Sequence, residues 1–103
     1  MKHSLLFILN FVLLFNHSLA QTIASDPLQV RSWAAGCANC HGTQGRAEPG
    51  TVSLAGVNKD DLVKSMQDFK TGKRPATVMH QLAKGYTDDQ ITAIASYFAA
   101  QKK

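Results

Sequence analysis

The sequence predicts an all-α domain, because its apolar residues recur at helical spacing and no segment alternates with the period of two that marks a strand. Leu62, Met66 and Phe69 fall at i, i+4 and i+7, which places them on one face of a helix. A second set, from Ile91 to Phe98, repeats at i, i+3, i+4 and i+7. Helix N-cap residues precede both sets, and a third helix-start signal lies at Asp26-Pro27. The helical pattern therefore runs through the chain.

Residues 1–20 have the layout of a secretory signal peptide. A basic start is followed by an apolar run over 5–15, and small residues stand at Ser18 and Ala20, the −3 and −1 positions of a cleavage site. The alternative is a retained membrane anchor, but a span needs roughly 20 apolar residues and this run is about half that. We therefore expect cleavage after Ala20, export to the periplasm, no membrane span in the mature chain, and one domain over 21–103.

The charge of the chain is mildly basic. It has 11 Lys and Arg against 7 Asp and Glu, and loss of Lys2 with the signal peptide would leave a formal charge of +3. No basic tract interleaved with aromatic residues is present, so nucleic acid is not an expected partner.

The first mature helix is expected to begin at Asp26-Pro27 and to run toward Cys37. Ser25 or Asp26 can cap it, and proline is tolerated in the first turn, where its missing N–H has no helical partner. The segment from Gly42 to Gly56 contains four glycines and a proline, a composition typical of a loop.

Three further helices follow from their end signals. Asn58 is a predicted N-cap for a helix that ends at Gly72. A short helix is predicted from Thr77 to Lys84, closed by Gly85. The last helix begins at Thr87-Asp88-Asp89-Gln90, a capping box with threonine at the N-cap and glutamine at N3.

The chemistry of the chain is indicated by Cys37-Ala38-Asn39-Cys40-His41, which is the C-x-x-C-H signature of covalent haem attachment. Two intervening residues let both sulfurs reach the vinyl groups on one edge of a porphyrin. The histidine that follows can then bind the iron from the proximal side. One covalent haem c is the predicted cofactor.

Two other readings of the cysteine pair are less well supported. A structural zinc site needs four ligands in a tetrahedron, and beyond Cys37, Cys40 and His41 the mature chain offers only His80. A thioredoxin-type redox pair would lie in a βαβ context, whereas the surroundings here are predicted to be helical.

The second axial ligand decides the function. Met66, Met79 and His80 are the candidates. Met66 lies on the apolar stripe of its helix, where a core methionine is expected. Met79 follows Pro75 on a segment that can cross the distal face of a haem, so we predict Met79 as the ligand, with His80 or an open site as alternatives.

Ligation by histidine and methionine would make the chain an electron carrier rather than an enzyme. A thioether stabilises iron(II) and raises the reduction potential, and a six-coordinate iron has no site for a substrate. An open axial site would instead indicate a small haem enzyme or gas sensor.

The motif Cys37–Gly42, the segment Ser53-Leu54-Ala55-Gly56 and the position of Met79 together resemble the class I cytochrome c family. The resemblance covers 24–101. It implies an all-α fold whose first and last helices cross and clasp one haem, with Tyr97 similar to the family's aromatic residue at that crossing. Relatives often have a proline near Val52, close to the carbonyl that accepts the N–H of the proximal histidine, so the acceptor in this chain is left open.

A narrower resemblance concerns 69–80 and 83–88, which are similar to the cytochrome subunits of flavocytochrome c sulfide dehydrogenases. It implies a sulfide-oxidising flavoprotein as redox partner. The alternative is a free soluble carrier to a terminal oxidase. Basic residues could steer an acidic partner to the haem edge, although ordinary solvated helix faces explain them equally well: Lys59, Lys64, Lys70, Lys73, Arg74 and Lys84.

Overall fold

The computed structural model describes residues 25–103, and the predicted signal peptide 1–20 lies outside that range. The described chain forms four α-helices and one 3₁₀ turn, and no strand occurs within 25–103, as predicted. The helices are α1 (Pro27–His41), α2 (Lys59–Lys70), α3 (Met79–Lys84) and α4 (Asp88–Ala99), and the 3₁₀ turn spans Thr43–Gly45. None of these helices combines the length and the hydropathy needed to cross a bilayer.

Side-chain caps define the start of the three long helices. The Asp26 carboxylate accepts a hydrogen bond from the Leu28 amide at 3.1 Å, with Pro27 in the first turn of α1. The Asn58 side chain accepts from two amides at the start of α2. Thr87 and Gln90 form the predicted capping box, with reciprocal bonds of 3.2 and 2.9 Å. These local signals explain why the three starts were predictable.

The start of α3 was predicted incorrectly. The helix begins at Met79, two residues after the predicted Thr77. The Val78 carbonyl accepts from the amides of Gln81 at 2.9 Å and Leu82 at 3.2 Å, and no side chain among the described residues caps this end. Because the first helical hydrogen bonds are accepted by Val78, Met79 is the first residue of a helix rather than part of an irregular strap.

The hydrophobic core is small and lies where α1 crosses α4. Its buried cluster consists of Ala34, Ile94 and Phe98, and Tyr97 is half-buried against it, with its ring 5.1 Å from that of Phe98. Seven apolar side chains are buried within the described range, and four of them are alanines. The apolar stripe of α2 is only half-buried, although α2 packs on both α3 and α4. The helices therefore enclose little apolar volume by themselves.

The loop between α1 and α2 is fastened to α4. The Gly45 carbonyl accepts from the amides of Leu54 and Ala55 at 2.8 and 3.1 Å, and the Gly56 amide donates to the Phe98 carbonyl at 2.9 Å. Gly45 has φ +79°, and a Cβ there would lie 2.8 Å from Cδ1 of Phe98. This position requires glycine for both its backbone conformation and its close approach to the core.

Candidate functional site

The last turn of α1 carries the complete C-x-x-C-H motif. Cys37 and Cys40 are three residues apart on one helix, a spacing that places two side chains on the same face. Neither sulfur forms a disulfide; Cys37 is half-buried and Cys40 is exposed. Both sulfurs are thus available to one edge of a flat group beside the helix.

The environment of Cys37 favours the protonated thiol. Burial raises the pKa of Cys37, an effect that a backbone hydrogen bond partly opposes. A structural zinc site needs four ligands, and no cluster of three or more His, Cys, Asp or Glu side chains able to hold a metal ion occurs in the described part of the chain. The zinc alternative therefore lacks a ligand set there.

His41 is oriented by a backbone carbonyl across the loop. Its Nδ1 lies 2.6 Å from the Val52 oxygen. A carbonyl oxygen can only accept, so Nδ1 carries a proton, and in the neutral imidazole Nε2 then has the lone pair that a metal ligand needs. Val52 itself thus supplies the acceptor that the sequence left open, without a proline at that position.

Met79 and its neighbours have apolar side chains that residues 25–103 cover only in part. Met79 is half-buried, whereas Val78 and Leu82 are 55% and 50% exposed. Met79 and Leu82 are three residues apart and share a face of α3. Near His41, the Val52 side chain is 71% exposed. Exposed apolar side chains on both segments fit an apolar group that both segments would cover.

The other two candidate ligands have different surroundings. Met66 is half-buried within the apolar stripe of α2, in keeping with a packing role. His80 is half-buried, and its Nδ1 is enclosed without a hydrogen-bond partner within residues 25–103. An unpaired buried ring nitrogen is unfavourable by about 1–3 kcal/mol, so this atom next to Met79 also fits a site completed by a bound group.

Together these features fit a covalently attached haem: two thiols on one helix face, an imidazole with its Nε2 lone pair available, and apolar side chains on a second segment. Residues 30–102 match the family model for cytochrome c. The chain belongs to the cytochrome c family. Its helical architecture agrees with the class I cytochrome c fold, and family membership confirms the predicted haem c and electron-transfer class.

Three curated bacterial cytochromes and electron acceptors illustrate the relationship. The cytochrome subunit of sulfide dehydrogenase from Chlorobaculum tepidum is 42% identical over 67 residues, which cover 65% of this chain and 61% of that protein. Cytochrome c4 from Pseudomonas aeruginosa is 39% identical over 80 residues, covering 77% of this chain and 40% of that protein. The thiosulfate dehydrogenase electron acceptor from Thiomonas intermedia is 37% identical over 71 residues, covering 67% and 33%. This cytochrome therefore spans less than two thirds of each of these relatives.

Three of the basic residues considered for partner steering make contacts within the cytochrome. Lys64 pairs with Asp68 one turn along α2, and Lys70 pairs with Asp88. The Arg74 guanidinium stacks 4.9 Å from the centre of the Phe69 ring. The positive charges are thus partly used to join elements of the fold.

Proposed function

We propose that this cytochrome is a periplasmic single-electron carrier with one haem bound through Cys37 and Cys40 and ligated by His41 and Met79. When bound, the haem iron gains or loses one electron between its ferric and ferrous states. The observation that carries the proposal is the 2.6 Å bond from His41 Nδ1 to the Val52 carbonyl, because it leaves Nε2 free for the metal.

His41 and Met79 would have different roles in holding the haem iron. His41 would bind the iron through the Nε2 lone pair, and its hydrogen bond to Val52 would make it a stronger electron-pair donor. Met79 supplies a soft, neutral thioether that favours the reduced form. If both residues hold the iron, no site would remain for oxygen, peroxide or another substrate, and the proposed role is that of a carrier and not of an enzyme.

The proposed redox partner is a sulfide-oxidising flavoprotein. Support comes from the similarity to the cytochrome subunit of sulfide dehydrogenase from Chlorobaculum tepidum and from the resemblance of 69–80 to such subunits. Export through residues 1–20 would place the carrier in the periplasm. A free soluble carrier is the competing role, and the similarity to cytochrome c4 supports it.

The axial ligand is tested by the visible spectrum of the oxidised protein, which should contain the weak long-wavelength sulfur-to-iron band. Met79→Ala should abolish this band. Met66→Ala is the matched control, because it removes the same side chain from the apolar stripe of α2, and His80→Ala tests the alternative ligand. Persistence of the band in Met79→Ala would show that another residue ligates the iron.

The partner is tested by affinity capture from periplasm, with the eluate probed for covalently bound flavin. A flavoprotein retained at physiological ionic strength supports the complex. A free carrier should instead elute as a monomer and transfer electrons with a steep dependence on salt. If no flavin is captured and the electron-transfer rate depends steeply on salt, the protein is a free carrier and the proposed flavoprotein complex is wrong.

A further inference from the structure

We infer that Ser53 is a positioning residue for His41: its hydroxyl fixes the peptide unit whose carbonyl holds the imidazole. The inference rests on the proposed function, since it assumes that His41 ligates the iron. The Ser53 hydroxyl is bonded to the Ala47 amide and would act on His41 indirectly, through the Val52 carbonyl.

The Ser53 hydroxyl joins the two arms of the loop between α1 and α2. It accepts a hydrogen bond from the Ala47 amide at 3.0 Å. The Val52 oxygen belongs to the planar peptide unit that connects Val52 to Ser53. Because that unit is rigid, the direction of the carbonyl is set by where Ser53 is held.

The restraints around this peptide unit are unequal. On its C-terminal side, Leu54 and Ala55 are bonded to the Gly45 carbonyl. On its N-terminal side, the Val52 side chain is 71% exposed, and the nearest backbone bond is the weak one from the Thr51 amide to the Glu48 carbonyl at 3.3 Å. The Ser53 hydroxyl therefore supplies the side-chain restraint closest to the carbonyl that His41 uses.

Loss of this restraint has a predictable electronic effect. Without the hydroxyl, the carbonyl can rotate away from Nδ1, and the His41 hydrogen bond lengthens. A weaker bond at Nδ1 makes the imidazole a poorer donor through Nε2. A poorer donor stabilises the oxidised iron less, so the reduction potential rises.

A matched pair of variants isolates the hydroxyl. Ser53→Thr keeps it, whereas Ser53→Val replaces it with a methyl group in a side chain of the same shape. In the holoprotein, Ser53→Val should move the equilibrium with a reference redox couple about three- to tenfold toward the reduced form, where tenfold corresponds to about 59 mV for one electron. Solvent exchange of the His41 Nδ1 proton, followed by NMR, should also become at least about threefold faster. Ser53→Thr should match the wild type in both measurements.

Equal potentials and equal proton-exchange rates in the two variants would overturn the inference. If neither branched side chain is accommodated, Ser53→Ala removes the hydroxyl without adding volume and is compared directly with the wild type. Failure of the proposed function is seen separately, because the wild type would then be colourless or would lack histidine ligation. A red, histidine-ligated wild type whose potential is indifferent to the hydroxyl contradicts the role of Ser53 alone.

Discussion

The Lys70 ammonium lies 3.1 Å from the Asp88 carboxylate and 2.7 Å from the Tyr86 carbonyl oxygen, and so joins the end of α2 to the start of α4. Gln67, one turn earlier on α2, donates to the same carboxylate at 2.9 Å. A lysine considered as part of a docking surface thus has a structural role. The same carboxylate also lies in the first turn of α4, where a negative charge is favourable.

This contact predicts a specific acid sensitivity. The hydrogen bond from Gln67, followed by that from Lys70, holds the pKa of Asp88 below its usual value. A carboxyl with a lower pKa in the folded state stabilises the fold above its unfolded pKa of about 3.9 and loses that contribution as pH falls through the folded value. Asp88→Asn should therefore show a shallower loss of unfolding free energy than the wild type below about pH 4, as measured by urea unfolding of the holoprotein.

Asp89→Asn is the control for that prediction. Asp89 is also in the first turn of α4, so both substitutions remove a charge from the same helix end. Only Asp88 is bonded to Gln67 and Lys70. Identical acid profiles for the two variants would assign the effect to the helix end rather than to the contact between α2 and α4.

A second prediction concerns the contact of Gly45 with the core. Gly45→Ala should destabilise the holoprotein by about 2–4 kcal/mol, because it combines the backbone cost of a left-handed residue with crowding against Phe98. Gly72→Ala is the control, since Gly72 has φ +78° and an added Cβ there would meet no atom within 4 Å from the described residues beyond its two chain neighbours. Gly72→Ala should lower the unfolding free energy only by the cost of a left-handed backbone conformation, about 1–2 kcal/mol. Equal unfolding free energies for the two variants would mean that the loop moves away from Phe98 at no cost.

The capping box at α4 gives a third prediction. Thr87→Ala removes the acceptor of the Gln90 amide and should lower the unfolding free energy by about 1 kcal/mol. Thr87→Ser keeps a hydroxyl at the cap and should stay close to the wild type. The measurement is denaturant unfolding followed by far-ultraviolet circular dichroism. A loss of the same size in both variants would exclude the hydroxyl as the cause.

A fourth prediction follows from the small core. The variant Cys37→Ala/Cys40→Ala, expressed without haem attachment, should be largely unfolded by circular dichroism. Four of the seven apolar residues that are buried within 25–103 are alanines, and a chain of about 80 residues gains little stability from so small a core. Haem-loaded wild type is the reference. A cooperative, native-like thermal transition in the variant would contradict the prediction.

Local signals made most of the fold predictable from sequence. Asp26, Asn58 and the pair Thr87 and Gln90 each act within a few residues, so their roles could be inferred without tertiary information. The start of α3 had no such signal, because Val78 caps that helix through its backbone alone. The prediction there was two residues early.

The sequence predicted those parts of the site that consist of side chains close together along the chain. The C-x-x-C-H motif identified the haem, but the acceptor for His41 is a backbone carbonyl 11 residues away. Because every residue type has a backbone carbonyl, the sequence does not indicate that Val52 accepts the hydrogen bond from His41. The hydrogen bond between Ser53 and Ala47 could not be predicted from the sequence either, since it depends on how the loop closes.

The exposed side chains of Val52, Val78 and Leu82 have a consequence in the cell. A newly synthesised chain that fails to acquire its prosthetic group would expose apolar surface and would have weak tertiary packing, the features that chaperones and proteases recognise. We therefore expect the steady-state amount of this protein to follow haem supply, with degradation removing the chains that remain unloaded.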